Sequence, residues 1–182
     1  TVPELFANTL RATTDETHMA IFQEAAQHIG HELIPSLLRR FSMQEPAVAK
    51  RLLCVARGLP LGDHCSKLLH VLDDVHEPGL ALAICHTIRL AGSHAHRYVQ
   101  HVLTEKTRGL MAPALRYLAV HGQEDDVAAI LSVYDTQRNS RELSLSILEF
   151  IGAPAIHGII HHIELGGDDQ TLLTLEHRLH TL

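Results

Sequence analysis

The chain contains no tryptophan, and aromatic residues make up only 4% of its 182 positions. That scarcity argues against an aromatic stacking platform for nucleic acid and leaves the interior to Leu, Ile, Val and Ala. A sheet would want more β-branched alternation than is present. Cysteine is also sparse: Cys54, Cys65 and Cys85 have no C-x-x-C spacing, and an odd number cannot close a disulfide framework. They are expected as reduced, buried thiols on helices. No run of about 18 apolar residues offers a membrane span. Nor does a basic segment followed by an apolar one open the chain as a signal peptide would. The expectation is a cytoplasmic protein, and the start at Thr1 rather than Met is compatible with a piece of a longer one.

What is abundant is aliphatic, helix-patterned sequence, 46% hydrophobic overall. Glycines punctuate it at a near-constant interval: Gly30, Gly58, Gly92, Gly122 and Gly152. Each closes an apolar stretch, as in Arg89-Leu90-Ala91-Gly92 and Glu149-Phe150-Ile151-Gly152, and glycine readily takes the left-handed conformation that ends helices. A second amphipathic segment follows each glycine before the cycle restarts. Glu45-Pro46 and Glu77-Pro78 mark two equivalent helix starts, since proline suits the first helical position. Thr13-Thr14-Asp15-Glu16 has the form of a capping box, and Ser93, Asn139 and Asp168 stand where N-caps are needed.

Apolar spacing agrees with two helices per period. Val127, Ile130, Leu131 and Tyr134 fall at i, i+3, i+4 and i+7, as do Ile156, Ile159, Ile160 and Ile163; Leu143, Ile147, Leu148 and Ile151 mark the helix between them. A period of about 30 residues built from two helices predicts an all-α, right-handed α-α superhelix of about five helix pairs. The expected organisation is one domain over 1–182, with repeats at 15–42, 45–75, 77–107, 108–136 and 139–165 and a terminal helix over 168–182. Residues 1–12 read as a short lead-in.

These glycine endings, each followed by a short turn and an apolar helix as in Ile151-Gly152-Ala153-Pro154-Ala155-Ile156, resemble HEAT repeats. More narrowly they are similar to the short HEAT-like repeats named after phycobilisome lyases. The resemblance covers about residues 15–165 and implies an α-solenoid. It says little about function, because such repeats occur in scaffolds, regulators, lyases, hydroxylases and DNA-repair proteins.

Charge is unevenly placed around a net of −6. Residues 1–35 carry one basic residue against five acids, 36–116 eleven against six, and 117–182 three against ten. A basic middle between acidic ends steers partners but falls short of a nucleic-acid footprint. Arg39, Arg40, Lys50, Arg51 and Arg57 form a local basic run against Glu45 alone, with only Phe41 nearby for stacking.

Sixteen histidines are the one compositional anomaly. In His157-Gly158-Ile159-Ile160-His161-His162-Ile163-Glu164, the residues His157, His161 and Glu164 fall on one stripe, with the isoleucines opposite. Two imidazoles at i, i+4 can share a metal, with a carboxylate a turn away as third ligand. The glutamate that follows the first histidine of a zinc-protease helix is missing. Ser93-His94-Ala95-His96 with His101, and His177 with His180, are weaker versions. The dipeptides His31-Glu32 and His76-Glu77 resemble the iron ligands of HEAT-like hydroxylases, but they stand out of register. No serine has a strand-turn-helix setting for nucleophilic catalysis. Gly166-Gly167-Asp168-Asp169 lacks the lysine of a phosphate loop, and its acids would repel phosphate.

The function expected from these features is a non-catalytic scaffold or protein-interaction module presenting the second helices of the pairs on a concave face. Arg39, Arg40, Lys67, His70, Arg97 and His101 are its expected partner-binding residues, together with His157 and His161. The partner would be another protein or another domain of the same polypeptide, with no nucleic acid and no cofactor, and the chain a monomer or weak oligomer. The alternative is a metal-binding or enzymatic HEAT-like protein, of chromophore-lyase or hydroxylase type.

Overall fold

In the computed structural model, residues 1–13, 18–42, 45–134, 141–164 and 177 are described. All regular structure among them is helical. The capping-box residues 14–16, Asn139 and the terminal helix over 168–182 lie outside the described residues, apart from His177, which is helical and exposed. The chain separates into two compact units, Thr1–Tyr98 and Val99–Leu182.

The first unit opens with a helix where only a lead-in was expected. α1 (Val2–Ala12) has Pro3 and Glu4 in its first turn and Arg11 in its last, an arrangement that suits the helix dipole. It buries Ala7 and Leu10, and packs against α3 and α4. α2 (Met19–Ile29) stops at Gly30, whose φ of 73° is open to glycine but strained for other residues. The expected second helix over 31–41 is instead a 3-10 turn, Gly30–Leu33, leading into the short α3 (Ile34–Arg39). Pro35 sits in the first turn of α3, where its missing N–H breaks no helical bond.

α4 (Pro46–Ala56), α5 (Cys65–Asp74) and α6 (Pro78–Leu90) follow. Both Glu-Pro sites start helices, but their glutamates diverge. Glu77 accepts the backbone N–H groups of Gly79 and Leu80 as a side-chain cap. Glu45 makes no such cap and accepts two bonds from Arg11 Nη2 at 3.0 and 3.2 Å. α4 packs against both α2 and α6. Leu52, Leu53, Leu68, Leu69, Ile84 and Ile88 fill this core at 2% exposure or less. Cys65 and Cys85 belong to it as expected, whereas Cys54 is only half-buried.

α7 (Ser93–Thr104) carries the chain into the second unit; Ser93 is its first helical residue rather than the cap before it. α8 (Met111–His121), α9 (Val127–Tyr134), α10 (Arg141–Ile151) and α11 (Ala153–Glu164) complete the second unit. α10 packs against α8, α9 and α11, and α11 also against α9. The stripe Val127, Ile130, Leu131 and Tyr134 is wholly buried, in a core shared with Tyr117, Leu118, Ile147 and Leu148. The isoleucine stripe of α11 is less complete: Ile159 is buried, but Ile160 is 43% exposed. Asp126, 0% exposed, is held by the Gln123 N–H and Gln100 Nε2, both at 2.8 Å.

Of the five punctuating glycines, Gly122 departs from the expected left-handed conformation, with φ −59° and ψ 140°. Its requirement is steric. A Cβ there would lie 2.6 Å from the Leu118 carbonyl oxygen and 3.3 Å from Ile147 Cγ2.

Candidate functional site

α2, α4 and α6 contribute to a groove of about 580 Å³ within the first unit. Helical periodicity builds it. α4 contributes Ala47, Lys50, Arg51 and Cys54, and α6 contributes Gly79, Leu82, Ala83 and His86. Each set runs i, i+3, i+4, i+7, so each is one face of its helix. Arg57, just past the end of α4, and Met19 of α2 complete the lining. Among the described residues, no carboxylate lines it.

The cations of this groove are not equivalent. Lys50 Nζ lies 3.2 Å from Glu77 Oε2, so its charge is largely met by the residue that caps α6. Desolvation acts to raise the Glu77 carboxyl pKa, but the Lys50 hydrogen bond, the Leu80 and Gly79 N–H groups and the Lys50 charge outweigh it and hold it below the usual range. Arg51 and Arg57 differ: the Nε of each is buried and has no hydrogen-bond partner among the described residues. Leaving a buried donor unsatisfied costs about 1–3 kcal/mol. Cys54 Sγ is held by Gln23 Nε2 at 3.2 Å. Leu82, 44% exposed, supplies an apolar surface to the same groove.

The residues expected from sequence fall elsewhere. Arg39 Nη1 reaches Glu4 Oε1 at 2.7 Å, and Arg40 Nε donates to Asn8 Oδ1 at 2.6 Å. Both arginines are therefore engaged in tying α3 to α1. Lys67 and His70 lie a turn apart on α5, and Arg97 and His101 a turn apart on α7. His157, His161 and Glu164 share one face of α11, with His161 Nδ1 4.0 Å from Glu164 Oε2. Among the described residues, no three His, Cys, Asp or Glu side chains are grouped so as to hold a metal ion. In the dipeptide His76-Glu77, the glutamate is occupied as the α6 cap.

Sequence reasoning noticed the basic run that holds Arg51 and Arg57 but placed the binding surface on the second helices of the pairs. The missed signal was the matching pattern 47, 50, 51, 54 and 79, 82, 83, 86, in which each set stands in the same register to its Glu-Pro helix start. No described helix is long and apolar enough to cross a membrane. Comparison of the chain with protein-family models, with curated proteins and with solved structures returns no match.

Proposed function

We propose that the chain is a non-catalytic protein-interaction module of stacked, HEAT-like helix pairs, and that its docking surface is the groove on α2, α4 and α6. Three features support the stacked reading. The glycines recur at a near-constant interval, α4 sits between α2 and α6, and α10 pairs with α8 while α11 pairs with α9. Each pair in such an array buries its apolar stripe against its neighbours and leaves a repeated face for a partner.

The observation that carries the docking surface is a groove lined by Lys50, Arg51 and Arg57 together with the exposed Leu82. A charged groove with an apolar wall suits a protein segment better than a flat polar face does.

Site-specific photo-crosslinking in the native cell extract tests the assignment. A photoreactive residue at Leu82 is expected to give discrete protein adducts, and one at Lys67 to give few. Equal yields from the two positions, or none from Leu82, overturn it.

A further inference from the structure

We infer that α1 is an internal ligand: it occupies a helix-receiving face on α3 and α4, which in its absence takes a partner's amphipathic helix carrying an acid at the Glu4 position. This face is distinct from the docking groove, to which α1 contributes no lining residue among those described. The pattern of α1 is that of a helix laid in a cleft. Phe6, Ala7 and Leu10 form one stripe, with Ala7 and Leu10 buried and Phe6 meeting the Phe22 ring edge-on at 5.4 Å. Glu4, Asn8 and Arg11, at i, i+4 and i+7, form a second stripe, and each is met by a different residue beyond α1. Arg39 Nη1 donates to Glu4 Oε1 at 2.7 Å and Arg40 Nε to Asn8 Oδ1 at 2.6 Å. Arg11 Nη2 donates to the Glu45 carboxylate at 3.0 and 3.2 Å. Arg40 Nη1 also donates to the Ser36 carbonyl at 3.3 Å, which anchors that arginine on α3.

The fastening is light, and that makes α1 exchangeable. α1 buries two residues, where α4 buries five. Arg39 and Glu4 are 65% and 41% exposed, so water and salt weaken their pair. Segments with few buried apolar contacts open locally without unfolding the rest. A permanent end cap of stacked helices also needs a polar outer face, whereas α1 leaves Val2 and Leu5 70% and 69% exposed. Opening would bare the apolar floor beneath Ala7 and Leu10 and free the Arg39 and Arg40 guanidiniums at its rim. A helix with apolar residues at i, i+1 and i+4 and a carboxylate two residues earlier answers both.

The probe is a peptide of residues 1–13 with a C-terminal fluorescein, added to the full chain and read by anisotropy. In the unsubstituted protein α1 competes from within, so the peptide should bind weakly. Leu10→Ala in the chain weakens the internal copy and leaves the face intact, and should tighten peptide binding at least ~10-fold. Adding Arg39→Glu should reverse part of this gain, about 3-fold, and a Glu4→Arg peptide should recover it. No tightening with Leu10→Ala, in a chain that circular dichroism shows folded, overturns the inference. So does a loss that the charge-reversed peptide fails to recover, or equal binding of a scrambled peptide of the same composition.

If Leu10→Ala unfolds the protein, hydrogen exchange of the unsubstituted chain decides. Amides of α1 should exchange at least ~10-fold faster than those of α4, and faster still as salt rises. Exchange of α1 at the α4 rate, as joint unfolding would give, overturns the exchangeable helix.

Discussion

Gly158 offers the most direct measure of how tightly the second unit's helices are stacked. It lies inside α11, and a Cβ built there would overlap Val127 Cγ1 and approach Val127 Cβ to 3.3 Å and Leu131 Cδ1 to 4.0 Å. On propensity alone, replacing a mid-helix glycine by alanine gains about 1 kcal/mol. Packing opposes this. Val127 is 4% exposed, and a helical valine strongly prefers one χ1 rotamer, so it cannot swing aside freely. Overpacking of this kind costs about 1–3 kcal/mol. The net expectation for Gly158→Ala is a loss of about 1 kcal/mol, or about 5 °C in Tm for a unit of this size. Urea titration and thermal melting followed by far-ultraviolet circular dichroism measure it. The double variant Val127→Ala/Gly158→Ala should recover part of the loss, with a favourable coupling of about 1 kcal/mol, because removing the two Val127 methyls clears the space. A rise in stability for Gly158→Ala alone, with no coupling to Val127, would refute the close approach of α11 to α9.

Four further outcomes follow from the first unit. Cys65 is pushed up to about 12 by burial, whereas Cys54 is half-buried, so an alkylating reagent at pH 8 should modify Cys54 first and leave Cys65 intact until unfolding. The same shift means that the native state holds the Cys65 proton where the unfolded state releases it; stability should fall as pH rises through about 9 toward 12, and Cys65→Ala should flatten that alkaline decline. Glu77 has a lowered pKa, so its contribution is present above the ordinary carboxylate range and is lost as pH falls through the native value; Glu77→Ala should lower the Tm at pH 7 and blunt its decline in acid. Arg39→Ala, removing an exposed pair with Glu4, should cost under ~1 kcal/mol, and adding Arg40→Ala should increase proteolysis of α1 before any loss of the remaining helices.

Much of the helical pattern was legible in the residues. Prolines at 46 and 78 start helices, glycines at 30, 58, 92, 122 and 152 follow their ends, and the stripe from Val127 to Tyr134 is buried throughout. These features are local: a ring that fixes φ, a missing Cβ and a helical period act wherever the segment is placed. Other features depend on what a segment meets. α1 becomes a helix fastened by Arg39 and Arg40, whose side chains reach it from a helix distant in sequence, which no short window reveals. Those two arginines looked like a free basic patch only because their acceptors lie on another helix.

Glycine shows the same division. Gly30 follows from backbone freedom and could be read in the chain, whereas Gly122 is confined by the Leu118 carbonyl of its own helix and also by Ile147 of α10, the second of which could not. The groove has both parts. Its two stripes, 47-50-51-54 and 79-82-83-86, are written in the sequence as helix faces. Only the packing of α4 beside α6 makes them walls of one cleft, and only burial there leaves the Arg51 and Arg57 Nε–H groups without acceptors among the described residues. Periodicity determines which side of a helix is apolar; which helix that side meets, and which charges are thereby paired or left unpaired, is decided by tertiary packing.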